Sequence, residues 1–129
     1  ECQALTKPPY DHRLPPLHHG TIHPRHHLDV AEMADIVARS RDRAMVIDVR
    51  EPEEYRLGHL PGARLIPLRE IITESDHLPR DRSILLVCRS GRRSTRALHW
   101  FLDLGFEEVF NLKGGILSWK AAGRPLEVE

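Results

Sequence analysis

The run "LLVCRSGRRSTRAL", residues 85–98, ends an apolar stretch on Cys88 and follows it with Arg89, Arg92, Arg93 and Arg96. A cysteine that only fills space wants apolar neighbours. Cys88 is followed at once by positive charge, by Gly91 and by the hydroxyl residues Ser90 and Ser94. The thiolate is the nucleophilic form, and cations or a helix N-terminus bring a thiol below its ordinary value of about 8.5. No acid lies between residues 82 and 102 to offset the arginines. A turn of successive backbone N–H groups after the cysteine cradles anions, and Gly91 keeps a side chain out of the approach. The segment therefore predicts two linked capacities: binding an anion and presenting a sulfur nucleophile to it.

That chemistry needs a strand to end at Cys88 and a helix to begin just beyond it. "SILLVC" (83–88) is a short apolar run without helical period, and "RSTRALHWFLDLG" (93–105) reads as a helix closed by Gly105. "AMVIDV" (44–49), residues 64–67 and "EEVFNL" (107–112) predict further strands. Asp29 with Glu32 forms a capping-box signature that opens a helix at residue 30. Pro52 opens another, which Gly58 stops. "LREIITES" predicts a short helix, although Ile71 and Ile72 also suit a strand, and "GILSWKAAG" predicts a last helix ending at Gly123. This alternation predicts an α/β fold: a central, mostly parallel sheet of four to five strands with helices on both faces. Ligands of such sheets bind outside the carboxyl ends of the strands, where Cys88 falls.

At 129 residues, 40% hydrophobic and 29% charged, the chain has the size and composition of one soluble globular domain. A formal net charge of zero supplies no bulk attraction to nucleic acid or to a membrane surface. No apolar run approaches the roughly 18 residues of a membrane span, and no signal-peptide pattern opens the chain. Cys2 and Cys88 are too few for a disulfide framework, so a reducing, cytoplasmic compartment is expected. The chain starts with Glu1 rather than Met, which suits a processed chain or a piece of a longer one. Residues 1–27 hold five of the ten prolines and six of the nine histidines and show no period, so they read as an extended arm before a domain over 28–129. His18, His19, His23, His26 and His27 have a metal-binding composition. Their spacing matches no ligand set, and no Cys, Asp or Glu cluster completes one, so neither metal nor cofactor is expected.

The active loop and two further motifs resemble a known family. "CRSGRRS" (88–94) resembles the active-site loop of rhodanese-type sulfurtransferases, often C-R-x-G-x-R-S. "DVREPEEYRLGHLPGA" (48–63) is similar to the motif on that family's earlier strand, and "NLKGGILSWKAAGRPLE" (111–127) resembles its C-terminal segment. The three occur in family order and span roughly residues 28 to 127. The resemblance implies a rhodanese-like fold and a ping-pong sulfur transfer. The Cys88 thiolate attacks the sulfane sulfur of thiosulfate, expels sulfite and becomes a persulfide, which passes to cyanide in an assay or to a small thiol or protein acceptor in the cell. Backbone N–H groups of residues 89–93 then hold the sulfite or the charged persulfide. Arg89, Arg92 and Arg93 are candidates for orienting thiosulfate, with Arg93 first because the family motif carries an arginine there. Ser90 and Ser94 offer hydroxyl bonds, or Ser94 caps the helix.

Asp48 and Arg50 match the family's D-V-R; they either line the pocket or, as the expected role, hold the loop through an ion pair of Arg50 with another residue. His59 reads as a structural turn residue, because a thiol that is already ionised needs no base. Arg96 is expected to be solvated or paired, Trp100, Phe101 and Trp119 to be core, and Gly114 with Gly115 to form a tight turn. The related phosphatases and arsenate reductases carry a longer C-x5-R loop. Here the arginine is at C-x4-R, on Arg93, with Ser94 in the next place and Val87 rather than histidine before the cysteine. A second reading makes the chain an appended module that relays sulfur from or to a partner protein without turning over free thiosulfate, which the proline-rich arm would suit.

Overall fold

The structure is a computed structural model that describes residues 23–39 and 42–128; Cys2, His18, His19 and most of the proline-rich arm lie outside the described residues. Strand β4 (Ser83–Val87) shows why a sheet forms. Its side chains alternate between two apolar layers: Ile84 and Leu86 pack with Ile47, Leu98 and Phe101, while Leu85 and Val87 pack with Met33, Leu60 and Trp119. Both faces are covered, so the strand reads as a continuous apolar run rather than an alternating one. Ile84, Leu85, Leu86 and Val87 are all 0% exposed, and full burial of each is worth roughly 1.5–3 kcal/mol.

Five strands form one sheet: β1 (His27–Leu28), β2 (Ala44–Asp48), β3 (Arg64–Leu65), β4 and β5 (Val109–Leu112), in the spatial order β1-β5-β4-β2-β3. Every pairing is parallel. Helices α1 (Val30–Arg39), α2 (Pro52–Leu57), α3 (Ile71–Glu74) and α4 (Arg92–Asp103) make the crossovers, and α5 (Gly115–Ala121) follows the last strand. Residues of α3 and α4 build one layer, and residues of α1, α2 and α5 the other. No helix among the described residues is long and apolar enough to cross a membrane.

Several local expectations are met in detail. Asp29 and Glu32 exchange side chain-to-backbone bonds at the start of α1. Pro52 is the first residue of α2, and Gly58 follows its end. The ambiguous "LREIITES" is helical: a 3-10 turn, α3 and a second 3-10 turn, with Ile71 in the core and Ile72 exposed.

Other expectations are corrected. Pairing over 64–67 reaches only Arg64 and Leu65. Pro67 has no N–H to give a ladder, although Ile66 and Leu68 still donate to the carbonyls of Asp48 and Val49. β5 begins at Val109, two residues later than the expected start at residue 107. Strand β1 was not expected at all: Pro24–His26 form a 3-10 turn, and His27 and Leu28 then pair with Asn111 and Leu112 at the sheet edge. A two-residue strand has too little pattern to be read from sequence. Its register is set by its neighbour.

Candidate active site

Strand β4 ends at Val87, and Cys88, 1% exposed, stands at the carboxyl end of the sheet. The chain then turns sharply into α4, with Gly91 as the N-cap at φ +103, a left-handed conformation that glycine adopts without a Cβ penalty. This turn brings two backbone amides and a hydroxyl to the sulfur. The Gly91 N–H lies 3.1 Å from Cys88 Sγ, the Ser94 N–H 3.3 Å and the Ser94 hydroxyl 3.3 Å. First-turn amides have no acceptor within their own helix and carry the positive end of its dipole. Donors converging on a single sulfur favour negative charge there.

The turn is held from beneath by α5. Ile116 N–H donates to the Cys88 carbonyl at 2.8 Å and Leu117 N–H to that of Arg89 at 3.1 Å. Gly115 makes this approach possible: a Cβ there would stand 2.3 Å from the Cys88 oxygen and 2.6 Å from the Arg89 oxygen. Gly114 and Gly115 are thus more than a tight turn. They dock the N-terminus of one helix on the backbone of Cys88 and Arg89.

Next to Cys88 in the chain, Arg89, Ser90, Arg92, Arg93 and Arg96 line an open cavity of about 690 Å³. Arg89, Ser90, Arg92 and Arg96 are exposed. Arg96 is a solvated residue of the helix surface, as expected, and also joins the cavity wall. Its position one turn into α4 puts it beside Arg92. Arg93 is engaged elsewhere as well: its guanidinium donates to both carboxylate oxygens of Glu54 on α2, at 2.8 and 2.9 Å. These bonds bring Glu54 down to about 2 and raise Arg93 above its ordinary value. Glu54 lies 39 positions before Arg93, so the acid-free stretch around Cys88 concealed this partner.

Ser94 is not the helix cap. It is the third residue of α4, fully buried, and its hydroxyl lies between Cys88 and the Asn111 Oδ1, 2.5 Å from the latter. Asn111, 3% exposed, in turn reaches His27 Nδ1 with its Nδ2 at 3.0 Å. Neither Asn111 nor Glu54 was singled out from sequence. Asn111 was legible only as a polar residue inside an otherwise apolar strand.

Asp48 and Arg50 sit at the end of the neighbouring strand and are 0% and 5% exposed. Arg50 forks onto the Asp48 carboxylate, Nε at 2.9 Å and a terminal nitrogen at 2.8 Å, and also donates to the Gly58 carbonyl at 2.7 Å. His59 is buried, stacks on Tyr55 with ring centroids 3.7 Å apart, and its Nδ1 meets the Tyr55 carbonyl at 2.8 Å. Phe101 and Trp119 are core residues, and Trp100 is partly buried against the core.

Comparison with known proteins agrees with this architecture. The model of the Rhodanese-like domain matches residues 29–122. A sulfurtransferase of Allochromatium vinosum is 32% identical over 99 residues, which are 77% of this chain and 92% of that protein. The thiosulfate sulfurtransferase GlpE of Pseudoalteromonas translucida is 28% identical, over 74% of this chain and 90% of that protein. The probable adenylyltransferase/sulfurtransferase MoeZ of Mycobacterium tuberculosis is 37% identical over 109 residues, 82% of this chain but 26% of that larger protein. Among solved structures, a rhodanese-related protein of Thermoplasma volcanium superposes with a TM-score of 0.72 at 29% identity, covering 79% of this chain and 97% of that one. With the family model matching residues 29–122, the chain belongs to the rhodanese-like domain family.

Proposed function

We propose that this chain transfers sulfane sulfur from thiosulfate, through a persulfide on Cys88, to a thiophilic acceptor. Membership of the family and sulfurtransferase-named relatives support sulfur transfer in general. The observation that carries the specific reading is the convergence of two backbone amides and the Ser94 hydroxyl on Cys88 Sγ, in a loop whose arginines line an open cavity. In the first half-reaction the Cys88 thiolate attacks the outer sulfur of thiosulfate. The S–S bond of the donor breaks, its electron pair leaves with sulfite, and the outer sulfur stays on Cys88 as an anionic persulfide. In the second, an acceptor takes that sulfur and returns the thiolate, yielding thiocyanate from cyanide or a new persulfide from a thiol.

Residues of the loop have separate parts in this scheme. Arg89 and Arg92 orient the dianionic donor, with Ser90 at the rim and Arg93 contributing from its anchored position. Amides of residues 89–93 hold the departing sulfite, a stabilisation that needs no reorganisation as charge moves. Asp48, Arg50 and Ser94 support the loop from below. No second cysteine lies near Cys88 in the sequence, which supports a small thiol or a protein thiol from outside as acceptor, in a reducing compartment.

A thiosulfate–cyanide assay on the chain and on Cys88→Ala tests this reading, together with mass spectrometry of the thiosulfate-treated protein. The expected result is thiocyanate formation that vanishes in the variant, and a gain of one sulfur atom on the Cys88 peptide. One observation favours the module reading: the chain matches only 26% of the length of MoeZ. A persulfide formed only from a protein donor, with no thiosulfate turnover, would replace the enzyme by the module.

A further inference from the structure

The hydrogen bonds around Cys88 continue well past the reaction site. Ser94 Oγ stands 3.3 Å from Cys88 Sγ and 2.5 Å from Asn111 Oδ1, and Asn111 Nδ2 stands 3.0 Å from His27 Nδ1. The sulfur, a hydroxyl, a carboxamide and an imidazole therefore form one chain, running from β4 across β5 to the edge strand β1. Cys88, Ser94 and Asn111 are each 3% exposed or less, while His27 is half-buried. The interior members cannot exchange partners with solvent. The outer one can.

A serine hydroxyl has one proton to donate. With Asn111 oriented as observed, its carbonyl oxygen accepts that proton, and its NH2 donates to an unprotonated His27 Nδ1. Cys88 then keeps the two amide donors, Gly91 and Ser94. If His27 Nδ1 takes up a proton it becomes a donor, and a half-turn of the Asn111 amide satisfies it with Oδ1. The Asn111 NH2 then donates to Ser94 Oγ, and the hydroxyl proton turns toward the sulfur. No atom moves by more than a side-chain rotation, and Ser94, Asn111 and His27 Nδ1 stay paired in both states.

We propose that His27 is a positioning residue for the nucleophile: through the Asn111 amide it sets whether the Ser94 hydroxyl donates to Cys88. The inference deepens the sulfur-transfer reading above, but its test needs no sulfur donor. Two donors leave the thiolate more nucleophilic, and three hold its charge more firmly. Burial, with Lys113 beside it, lowers His27 below its ordinary value, and neighbouring His26 is lowered chiefly by burial as well. Among the described residues, Lys113 is the charged neighbour that lowers His27, and His27 in turn lowers His26.

Coupling of this kind is reciprocal. A thiolate that gains from the third donor must favour protonated His27, so loss of the thiolate must lower the His27 midpoint. The His27 ring can be titrated by NMR in the untreated chain, in the chain alkylated at Cys88 with iodoacetamide, and in Cys88→Ala, which adds no bulk. The expected result is a drop of roughly half to one pH unit when the thiolate is removed, with the Asn111 side-chain NH2 signals moving through the same midpoint. In Ser94→Ala the drop should disappear. A shift that survives Ser94→Ala would reduce the effect to charge acting through space and overturn the proposal. So would an unmoved His27 midpoint in the alkylated wild-type chain, which needs no variant to fold. Failure of persulfide formation would sink the sulfur-transfer reading and leave this result standing.

Discussion

Two turns stand side by side at the carboxyl end of the sheet, because Asp48 of β2 is in register with Val87 of β4. Both lead from a buried strand into a helix, and both carry arginine. After β2 the charge is turned inward: Arg50 closes on Asp48 and on the Gly58 carbonyl, and the pair is nearly inaccessible. After β4 the charge is turned outward: Arg89, Arg92 and Arg96 line an open cavity, and the backbone donors point at a sulfur rather than at a carboxylate. The same position in the fold thus serves rigidity in one turn and, in the function proposed above, reactivity in the next. What differs is whether the sequence supplies an acid at the strand end.

The comparison breaks most directly at Arg50. Its removal leaves the Asp48 carboxylate buried without a counter-ion, a change that costs about 3–5 kcal/mol, a large share of an ordinary domain's stability. Arg50→Ala should therefore unfold at a clearly lower urea midpoint. If it instead kept its stability and lost turnover, the inward turn would belong to the chemistry and the contrast would fail.

Arg92→Ala asks the opposite question. Exposed and on the cavity wall, Arg92 should contribute under about 0.5 kcal/mol to stability. A charged hydrogen bond to the thiosulfate dianion is worth about 1.5–3 kcal/mol, so kcat/KM should fall roughly tenfold to a hundredfold. Steady-state kinetics beside a melting curve would read both. A variant with unchanged kinetics would move donor binding to Arg89 or Arg96.

Much of this arrangement was legible in the chain itself. Cys88 with its glycine and arginines marked the strand-to-helix turn, and the continuous apolar runs of β2 and β4 marked a sheet covered on both sides. What was hidden is what sequence distance hides. Glu54 reads as a first-turn acid of α2, and nothing local says that it reaches Arg93 across the space between helices. Gly115 reads as a turn residue, while its closeness to the Cys88 oxygen depends on where α5 lands. β1 depends on β5 for its register, and His27 gains its role from Asn111, 84 positions away.

The Glu54–Arg93 pair joins the two turns, since α2 follows the first and α4 the second, and it sharpens the comparison through pH. Glu54 is held at about 2 against an ordinary 4.5, chiefly by the Arg93 hydrogen bonds. A carboxylate lowered in the folded state contributes fully above its unfolded value, and the contribution is lost as pH falls from about 4.5 toward about 2. The two side chains are 34% and 31% exposed, so solvent screening holds the contribution to roughly 1 kcal/mol. Glu54→Gln should therefore be less stable than the parent at pH 7, by about that amount, and the gap should close on acidification. A gap that stayed constant down to pH 3 would mean that the carboxylate's charge is not what ties the reactive turn to its rigid neighbour.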